Sequence, residues 1–413
     1  MPPIIPSGRD LRLDLFRGLA LWLIFIDHVP DNIVSWITIR HYGFSDATEI
    51  FVFISGYTAA FVYGREMRER GFVVGGARIL RRAWQVYVAH IFLFVLYLTE
   101  IAYVTTAFEN PLFSEEMGLL DFFKRPDSTL VQALILRFQP ANMNILPLYI
   151  VLLVGFPPTL WLLLRRPTLA LFASFALYAA VRIFGLRVAT YPDGIWFFNP
   201  LAWQFLFVFG AWCALGGAAR LGSFLRSRRA LALAVAYLIF GFVLSFVWNI
   251  PTLEAKVPRW MSNWIFSIDK TNLDPERFLH FVALAMVTVY FVPRDLPALE
   301  SRWLRPIIRC GQHSLEIFCL GAFLAFAGHF VIVQTSGGYG MHVVISIVGI
   351  AMMVATAVLI DWYKGIERRP HAPRPAGAAA DRGSPKARGS AAMVDEEEKV
   401  RAERPEPDAR VAD

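Results

Sequence analysis

Ten apolar stretches follow one another along the chain and constrain its fold more than any other feature. They fall at about 12–30, 46–64, 84–107, 144–164, 168–187, 199–219, 230–250, 277–293, 311–334 and 341–362. Each has about 17–24 residues, enough for a helix to cross a hydrocarbon core of ~30 Å. A soluble domain would not be 56% hydrophobic with only 18% charged residues. We therefore predict an all-α, polytopic integral membrane protein with about ten transmembrane helices.

The basic residues indicate how these helices are oriented in the bilayer. Arginines concentrate in alternate connections, such as residues 65–82, 165–166 and 220–229, and an excess of this kind is typical of cytoplasmic connections. An even number of spans places both termini on one side, so both are predicted to be cytoplasmic. The net charge of +7 then reflects topology. Since no nucleic-acid motif accompanies it, no nucleic-acid partner is expected.

Charged residues inside the first apolar stretch mark a candidate functional site. Arg17 and His28 are almost three helical turns apart, so they project from nearly the same face, about 16 Å apart along the axis. Asp14 lies close to this stripe. A charge at the centre of a membrane helix costs ~2.5–3.5 kcal/mol, so such groups normally face a protein interior or a wet cavity. The alternative is that Arg17 is a snorkelling anchor and His28 an interfacial histidine.

A second group of polar residues is predicted at the outer membrane boundary. Asp27 adjoins His28, and Asp46 and Glu49 enter the second span at a similar depth. Further amides and aromatic residues begin later spans from the outside, namely Asn144, Tyr149, Asn199, Trp203 and Gln204. Carbohydrate suits such a pocket, because it needs hydrogen bonds to its hydroxyls and a flat apolar surface for its rings. An aromatic belt with amides that join helices explains the same residues equally well, so both interpretations stay open.

A group of arginines is predicted at the cytoplasmic boundary. Arg78, Arg81 and Arg82 lie in the segment GARILRRAW, and Arg17 lies in the inner half of the first span. Guanidinium groups bind phosphate through paired hydrogen bonds, so the cluster is a candidate site for a phosphate-bearing donor that enters from the cytosol. The alternative, which is favoured for most of these arginines, is that they only set the topology.

The composition changes from Lys364 onward to Pro, Ala, Gly and mixed charges, with no aromatic residue. Such a segment buries too little apolar surface to offset its conformational entropy. Residues 364–413 are therefore predicted to be a disordered cytoplasmic tail that follows a transmembrane domain of residues 1–363. The three cysteines lack metal-ligand spacing, and no metal is expected.

Several stretches together resemble the acyltransferase-3 superfamily of integral membrane acyltransferases and, within it, the OpgC family. They are RLDLFRGLALWLIFIDHVPDN, GFSDATEIFVFISGY, NILPLYIVLL, FNPLAWQFLFVFG and GQHSLEIF. The pattern includes Arg17 and His28 in the first span, the run from Glu49 to Tyr57, and Arg78 ahead of RRAWQVY. The resemblance covers most of the predicted transmembrane domain.

The resemblance implies a membrane O-acyltransferase in the inner membrane of a bacterium. The OpgC family is associated with succinylation of osmoregulated periplasmic glucans. It therefore implies succinyl-coenzyme A, or another acyl-coenzyme A, as the donor substrate and periplasmic glucan as the acceptor. No permanently bound cofactor is expected. The expected partners are acyl-coenzyme A, glucan and the lipid bilayer, and the sequence leaves the oligomeric state open.

The resemblance also implies roles for individual residues. His28 matches the essential histidine of the family and is expected to act as general base toward a glucose hydroxyl. Glu49, in preference to Asp27, is the candidate to orient the His28 ring, because residues 27 and 28 point about 100° apart on a helix. Arg17 is expected to hold donor phosphate or to stabilise the oxyanion formed from the thioester. An acyl-histidine intermediate is the mechanistic alternative.

Other functions and acyl groups remain open. One alternative is transfer of acetyl or another acyl group to a different surface polysaccharide. Another is a secondary transporter, although the chain shows no related halves and the expected break at Pro157-Pro158 has no counterpart. If the acyl group is succinyl, a positive charge near its carboxylate would help, and Arg40, Arg182 and Arg187 lie on the outer side.

Overall fold

The fold is helical throughout the part of the chain that the structure describes. The structure is a computed structural model and describes residues 10–108, 112–220, 222–225, 227–248, 250–254, 256–260, 263, 268–335 and 337–367. The longer helices are α1 (Leu11–His28), α2 (Ala47–Ala107), α3 (Ile145–Arg165), α4 (Pro167–Phe184), α5 (Pro200–Trp212), α6 (Arg228–Trp248), α7 (Pro275–Phe291), α8 (Arg305–Gln312), α9 (Ser314–Gln334) and α10 (Tyr339–Glu367). Within these residues no β-strand forms, which confirms the all-α prediction.

Shorter helical segments connect the long helices. The short α-helices are Leu112–Glu116, Leu120–Lys124, Pro126–Leu134, Ala218–Arg220, Gly222–Leu225 and Pro251–Glu254. The 3-10 helices are Ile33–Ile37, Ile39–His41 and Pro297–Glu300, and a π-helix, Cys213–Gly217, follows α5.

The helices match the apolar stretches in position, but not all of them have the properties of a membrane span. Seven of the described helices are long and apolar enough to cross a membrane. α2 counts once although it covers two of the stretches, and α7 has only 17 residues. α1 carries four charged residues: Arg12, Asp14, Arg17 and Asp27. The chain is thus a protein of long apolar helices, while the ten-span count and the cytoplasmic termini stay predictions.

α2 consists of two helical segments joined by a turn at Gly71. This glycine has φ 85° and ψ 173°, a backbone conformation that residues with a side chain rarely adopt. Arg78 Nε lies 2.9 Å from Glu66 Oε1, although twelve residues of a straight helix would separate them by about 18 Å. A β-carbon added at Gly75 would lie 2.7 Å from Met67 Cβ. The chain therefore folds back at Gly71, between the predicted second and third spans.

Glycines allow the central helices to approach each other at the backbone. A β-carbon added at Gly311 of α8 would lie 1.8 Å from the carbonyl oxygen of Asp14 in α1, and one at Gly18 would meet α8 at 1.9 Å. α2 and α5 cross in the same way, since β-carbons at Gly56 and Gly210 would lie 2.0 and 2.3 Å from the opposing carbonyl oxygens. Small residues at helix crossings are typical of membrane bundles. These two crossings position α1 and α2, which carry the candidate site.

One further expectation from the sequence concerns the two prolines of α3. α3 runs through Pro157 and Pro158 without interruption, so the expected break there is wrong. Prolines are tolerated in membrane helices where the freed backbone groups find other partners. The stretch STLVQAL lies in the helix Pro126–Leu134, ahead of α3.

The chain divides into two units, residues 1–366 and residues 367–413. Everything described below lies in the first unit. Residues 364–367 of the predicted tail belong to α10, and the rest of the tail lies outside the described residues.

Candidate active site

His28 is the last residue of α1 and lies partly exposed at the end of that helix. The Asn142 side chain donates a hydrogen bond from Nδ2 to the His28 carbonyl oxygen at 3.1 Å, which holds the backbone there. Among the described residues, none forms a hydrogen bond with the His28 ring. The charges that act on it are those of Lys270, Asp46 and Arg40. An accessible imidazole with no protein partner can take a proton from a bound hydroxyl group.

The loop between α1 and α2 folds over the end of α1. Thr38 Oγ1 donates to Asp27 Oδ1 at 2.7 Å, and Arg40 donates to the Asp27 carbonyl oxygen at 3.5 Å. Asn32 Nδ2 donates to Ser346 Oγ of α10 at 3.0 Å. The loop is therefore attached to two helices, and it places Arg40 beside the His28 end of α1.

Four charged residues form a compact network at the start of α2. Asp46 is the N-cap of α2, where its side chain accepts from the Thr48 N–H at 2.8 Å while Glu49 Oε2 accepts from the Asp46 N–H at 2.9 Å. Arg277 of α7 donates from Nε to Glu49 Oε1 at 2.8 Å and from a terminal nitrogen to Asp46 Oδ2 at 3.1 Å. Lys270 donates to the same Asp46 oxygen at 2.6 Å. Two carboxylates are thus matched by two cations.

The network keeps Asp46 ionised. Burial by itself raises the pKa of Asp46, but the charges of Lys270 and Arg277, together with hydrogen bonds from Lys270 and the Thr48 N–H, outweigh burial and hold the pKa well below its usual value. Lys270 and Asp46 of this network, together with Arg40, are the charged groups that act on the His28 imidazole.

The structure does not bring the two predicted orienting carboxylates into contact with the His28 ring. Glu49, with 0% of its surface exposed, pairs with Arg277, and Asp27 accepts from Thr38. Neither forms a hydrogen bond with the His28 ring in the described part of the chain. Their proposed role in orienting the ring therefore stays a prediction.

Lys270 and Arg277 belong to the site but were not singled out from the sequence. Lys270 lies in the connection before the predicted span 277–293, and Arg277 is the first residue of that span. The sequence did contain one signal. Two basic residues lie on either side of the Asp-Pro pair at the start of a predicted span, on the side of the membrane where basic residues are expected to be scarce. Their partners Asp46 and Glu49 lie more than 220 residues earlier, so sequence spacing could not show the pairing.

Two of the predicted acceptor-binding residues use their polar atoms to hold the segment around Lys270. Asn199 caps α5 through the Leu201 N–H and donates to Asn272 Oδ1 at 2.9 Å. Trp203 is fully buried, and its Nε1 donates to the backbone carbonyl of Lys270 at 3.1 Å. These contacts hold the segment that carries Lys270.

The remaining predicted acceptor-binding residues lie elsewhere around the bundle. Gln204 Nε2 donates to the Ser174 carbonyl oxygen at 2.8 Å and so joins α5 to α4. Asn144 precedes α3 without a side-chain capping bond. Tyr149 faces a narrow gap between α2 and α3 that Ser55 also lines. Asp46 is therefore the one member of the predicted acceptor set whose charge acts on His28.

The predicted donor-binding arginines are divided between two places. Arg17 donates to Thr58 Oγ1 at 2.6 Å and to the Ile54 carbonyl oxygen at 3.3 Å, so it joins α1 to the first segment of α2. Arg78, Arg81 and Arg82 lie just after the turn at Gly71, on the second segment of α2.

Within that second segment, Arg78 pairs with Glu66, Arg82 donates to Gln85 Oε1 at 3.3 Å, and Arg81 is exposed. The exposed fraction of the Arg78 side chain is 58%. These guanidinium groups are therefore accessible to a ligand, and donor binding by them stays a prediction.

Comparison with known proteins gives one match. A family model described as OpgC protein matches residues 9–365. No curated protein matches, and no solved structure matches. The matched residues include α1, the whole charge network and the loop that carries Arg40.

Proposed function

Because the chain belongs to the OpgC family, we propose that it is a membrane O-acyltransferase that moves a succinyl group from cytoplasmic acyl-coenzyme A to hydroxyl groups of a periplasmic glucan. Family membership and the long apolar helices support a membrane-bound, glucan acyltransferase-like function. We further propose that the donor is succinyl-coenzyme A and the acceptor a periplasmic glucan. The protein is proposed to lie in the bacterial inner membrane with both termini in the cytoplasm.

One observation carries the proposal. The His28 ring is partly exposed and makes no hydrogen bond among the described residues, whereas Lys270 and Asp46, whose charges act on it, are bound to each other and Asp27 accepts from Thr38. A structural histidine normally has its ring nitrogens satisfied by the protein. A ring left available beside a fixed charge network is therefore the arrangement expected of a catalytic base.

The proposed reaction moves one proton and one acyl group. The neutral His28 imidazole takes the proton of a glucan hydroxyl as that oxygen attacks the thioester carbonyl carbon. The C–S bond then breaks, an ester forms, and the proton passes from His28 to the leaving coenzyme A thiolate. In the alternative, a His28 ring nitrogen attacks the thioester carbonyl carbon and forms an acyl-histidine as the C–S bond breaks. The glucan hydroxyl then takes the acyl group as the C–N bond breaks, and its proton ends on the coenzyme A thiolate.

The other predicted residues are proposed to serve the two substrates. The arginines after the Gly71 turn are assigned to the donor phosphates, because the exposed guanidinium groups of Arg78 and Arg81 suit phosphate. Arg17, which is bound to Thr58, is assigned to donor phosphate or to the oxyanion formed from the thioester. Lys270 and Arg277 are assigned to positioning, because both are bound to carboxylates. Asp46 and Glu49 complete that positioning network.

The test is acyl transfer by the purified protein in lipid, with radiolabelled succinyl-coenzyme A and a periplasmic glucan. We expect the wild-type protein to label the glucan. A His28→Ala variant should remain folded but transfer no label. His41→Gln is the matched control, because His41 lies in the loop that follows α1 and its ring stacks on Trp36. Near-normal turnover by well-folded His28→Ala would refute the mechanism.

The same assay separates the alternatives. If acetyl-coenzyme A labels the glucan and succinyl-coenzyme A does not, the protein is an acyltransferase but its acyl group is not succinyl. No labelling from any acyl-coenzyme A would refute the proposed function and favour a transporter.

A further inference from the structure

The cations near His28 differ in whether the protein already neutralises them. Lys270 and Arg277 are paired with Asp46 and Glu49, as described above. Arg182, another arginine expected on the outer side, pairs with Asp274. Their charges are therefore already matched by carboxylates within the protein.

Arg40 is different, because in the described residues no carboxylate oxygen lies within 4.0 Å of its guanidinium nitrogens. Its side chain makes one hydrogen bond, the 3.5 Å contact with the Asp27 carbonyl oxygen, and the residue is exposed. That contact is with the backbone of the residue directly before His28. Arg40 is thus an accessible guanidinium with donors to spare, next to the catalytic candidate.

The position of Arg40 is set by the fold. Thr38, two residues earlier, is fully buried and donates to the Asp27 carboxylate at 2.7 Å. Asn32 ties the start of the same loop to α10. A loop anchored at both points presents Arg40 at a defined distance from the His28 end of α1, which is what recognition of a ligand group requires.

We propose that Arg40 binds the free carboxylate of a dicarboxylic acyl group while the thioester carbonyl of that group lies at His28. The proposal rests on the proposed function and assigns the residue that selects the acyl group. A four-carbon acyl chain reaches roughly 5 Å from its carbonyl carbon to its terminal oxygens, judged from C–C bonds of ~1.5 Å. Guanidinium is the side-chain group best matched to a carboxylate, because it donates two parallel hydrogen bonds.

Arg187 does not offer the same arrangement. It is exposed on the outer side, but its charge is not among those that act on His28. Lys270 does act on His28, but Asp46 already neutralises it at 2.6 Å. Arg40 therefore combines proximity to His28 with a guanidinium that forms no ion pair within 4.0 Å among the described residues.

The experiment compares two donors that differ only at the end of the acyl chain. Succinyl-coenzyme A carries a terminal carboxylate, and butyryl-coenzyme A has the same number of carbons with a terminal methyl group. The value of kcat/KM is measured for both donors with wild type, Arg40→Gln and Arg40→Lys. Arg137→Gln is the matched control, since Arg137 is exposed in another loop and forms no ion pair among the described residues.

We expect Arg40→Gln to lower the succinyl-to-butyryl ratio of kcat/KM by at least about ten-fold, the lower end for a charge-assisted hydrogen bond at an exposed site. Arg40→Lys should keep part of the preference, and Arg137→Gln should leave the ratio unchanged. An unchanged ratio in Arg40→Gln, or an equal loss with both donors, would overturn the assignment. Wild-type protein that transfers neither acyl group would overturn the proposed function itself, so the two failures are distinguishable.

Discussion

The buried network at the start of α2 predicts that replacing Arg277 lowers the free energy of unfolding and that a second substitution partly restores it. This residue is the one that binds both carboxylates, and the exposed fraction of its side chain is 12%. Arg277→Met removes the charge while keeping much of the aliphatic volume. Glu49 then stays fully buried with only the Asp46 N–H as a partner.

The magnitude follows from the unpaired carboxylate. Removing one partner of a buried ion pair costs about 3–5 kcal/mol, because the remaining charge is left uncompensated. Asp46 keeps its contact with Lys270, so we expect the lower end, a loss of about 3 kcal/mol in the free energy of unfolding. Glu49→Gln neutralises the remaining charge, and its amide oxygen can still accept from the Asp46 N–H. The double variant should therefore regain about 2 kcal/mol relative to Arg277→Met alone.

The assay is reversible unfolding of the purified protein in mixed detergent micelles. Arg65→Met is the control, because Arg65 and Glu69 form an exposed pair on α2 whose loss should leave stability unchanged. A loss below about 1 kcal/mol in Arg277→Met, or no recovery in the double variant, would refute the argument that an unpaired buried carboxylate dominates.

Two more predictions concern packing and pH. Gly311→Ala should destabilise the α1–α8 crossing by at least about 1–3 kcal/mol, because its β-carbon would lie 1.8 Å from the Asp14 carbonyl oxygen; Gly155→Ala, with nothing within 4 Å, should be neutral in the same unfolding assay. Because the pKa of Asp46 is held below its unfolded value of ~3.9, its contribution to stability is present above that pH and is lost as the pH falls. Asp46→Asn should therefore lose less stability than wild type between about pH 5 and pH 3, and equal losses measured in a pH series of unfolding curves would contradict the assignment.

Several parts of the site followed from local sequence. The spacing of Arg17 and His28 predicts one face of a helix, and both lie in α1. Asp46 and Glu49 were expected together at the start of a span. The structure adds that they form the capping box of α2, which the three-residue spacing of an N-cap acid and a glutamate permits. These features depend on residues within one helical turn or one helix, where the backbone period determines the geometry.

Pairings between distant segments did not follow from the sequence. Nothing in the spacing of residues 46–49 and 270–277 shows that they pair, yet Arg277 donates to Glu49, the residue predicted to orient His28. Asn199 and Trp203, which were assigned to an acceptor, hold the segment that carries Lys270. A polar side chain at a membrane boundary can bind a ligand or another helix equally well, and only the position of the neighbouring helices decides between them.

The sequence by itself determined the class of the protein, its family, the helix positions and the candidate histidine, because hydrophobic length and local motifs are properties of contiguous residues. The tertiary structure decided which charges are neutralised and which remain available. Glycine crossings at α1–α8 and α2–α5 set where those helices meet. Among the described residues, the His28 ring has no hydrogen-bond partner and the Arg40 guanidinium forms no ion pair within 4.0 Å. Availability for a ligand depends on contacts between residues far apart in the chain, which a local pattern does not contain.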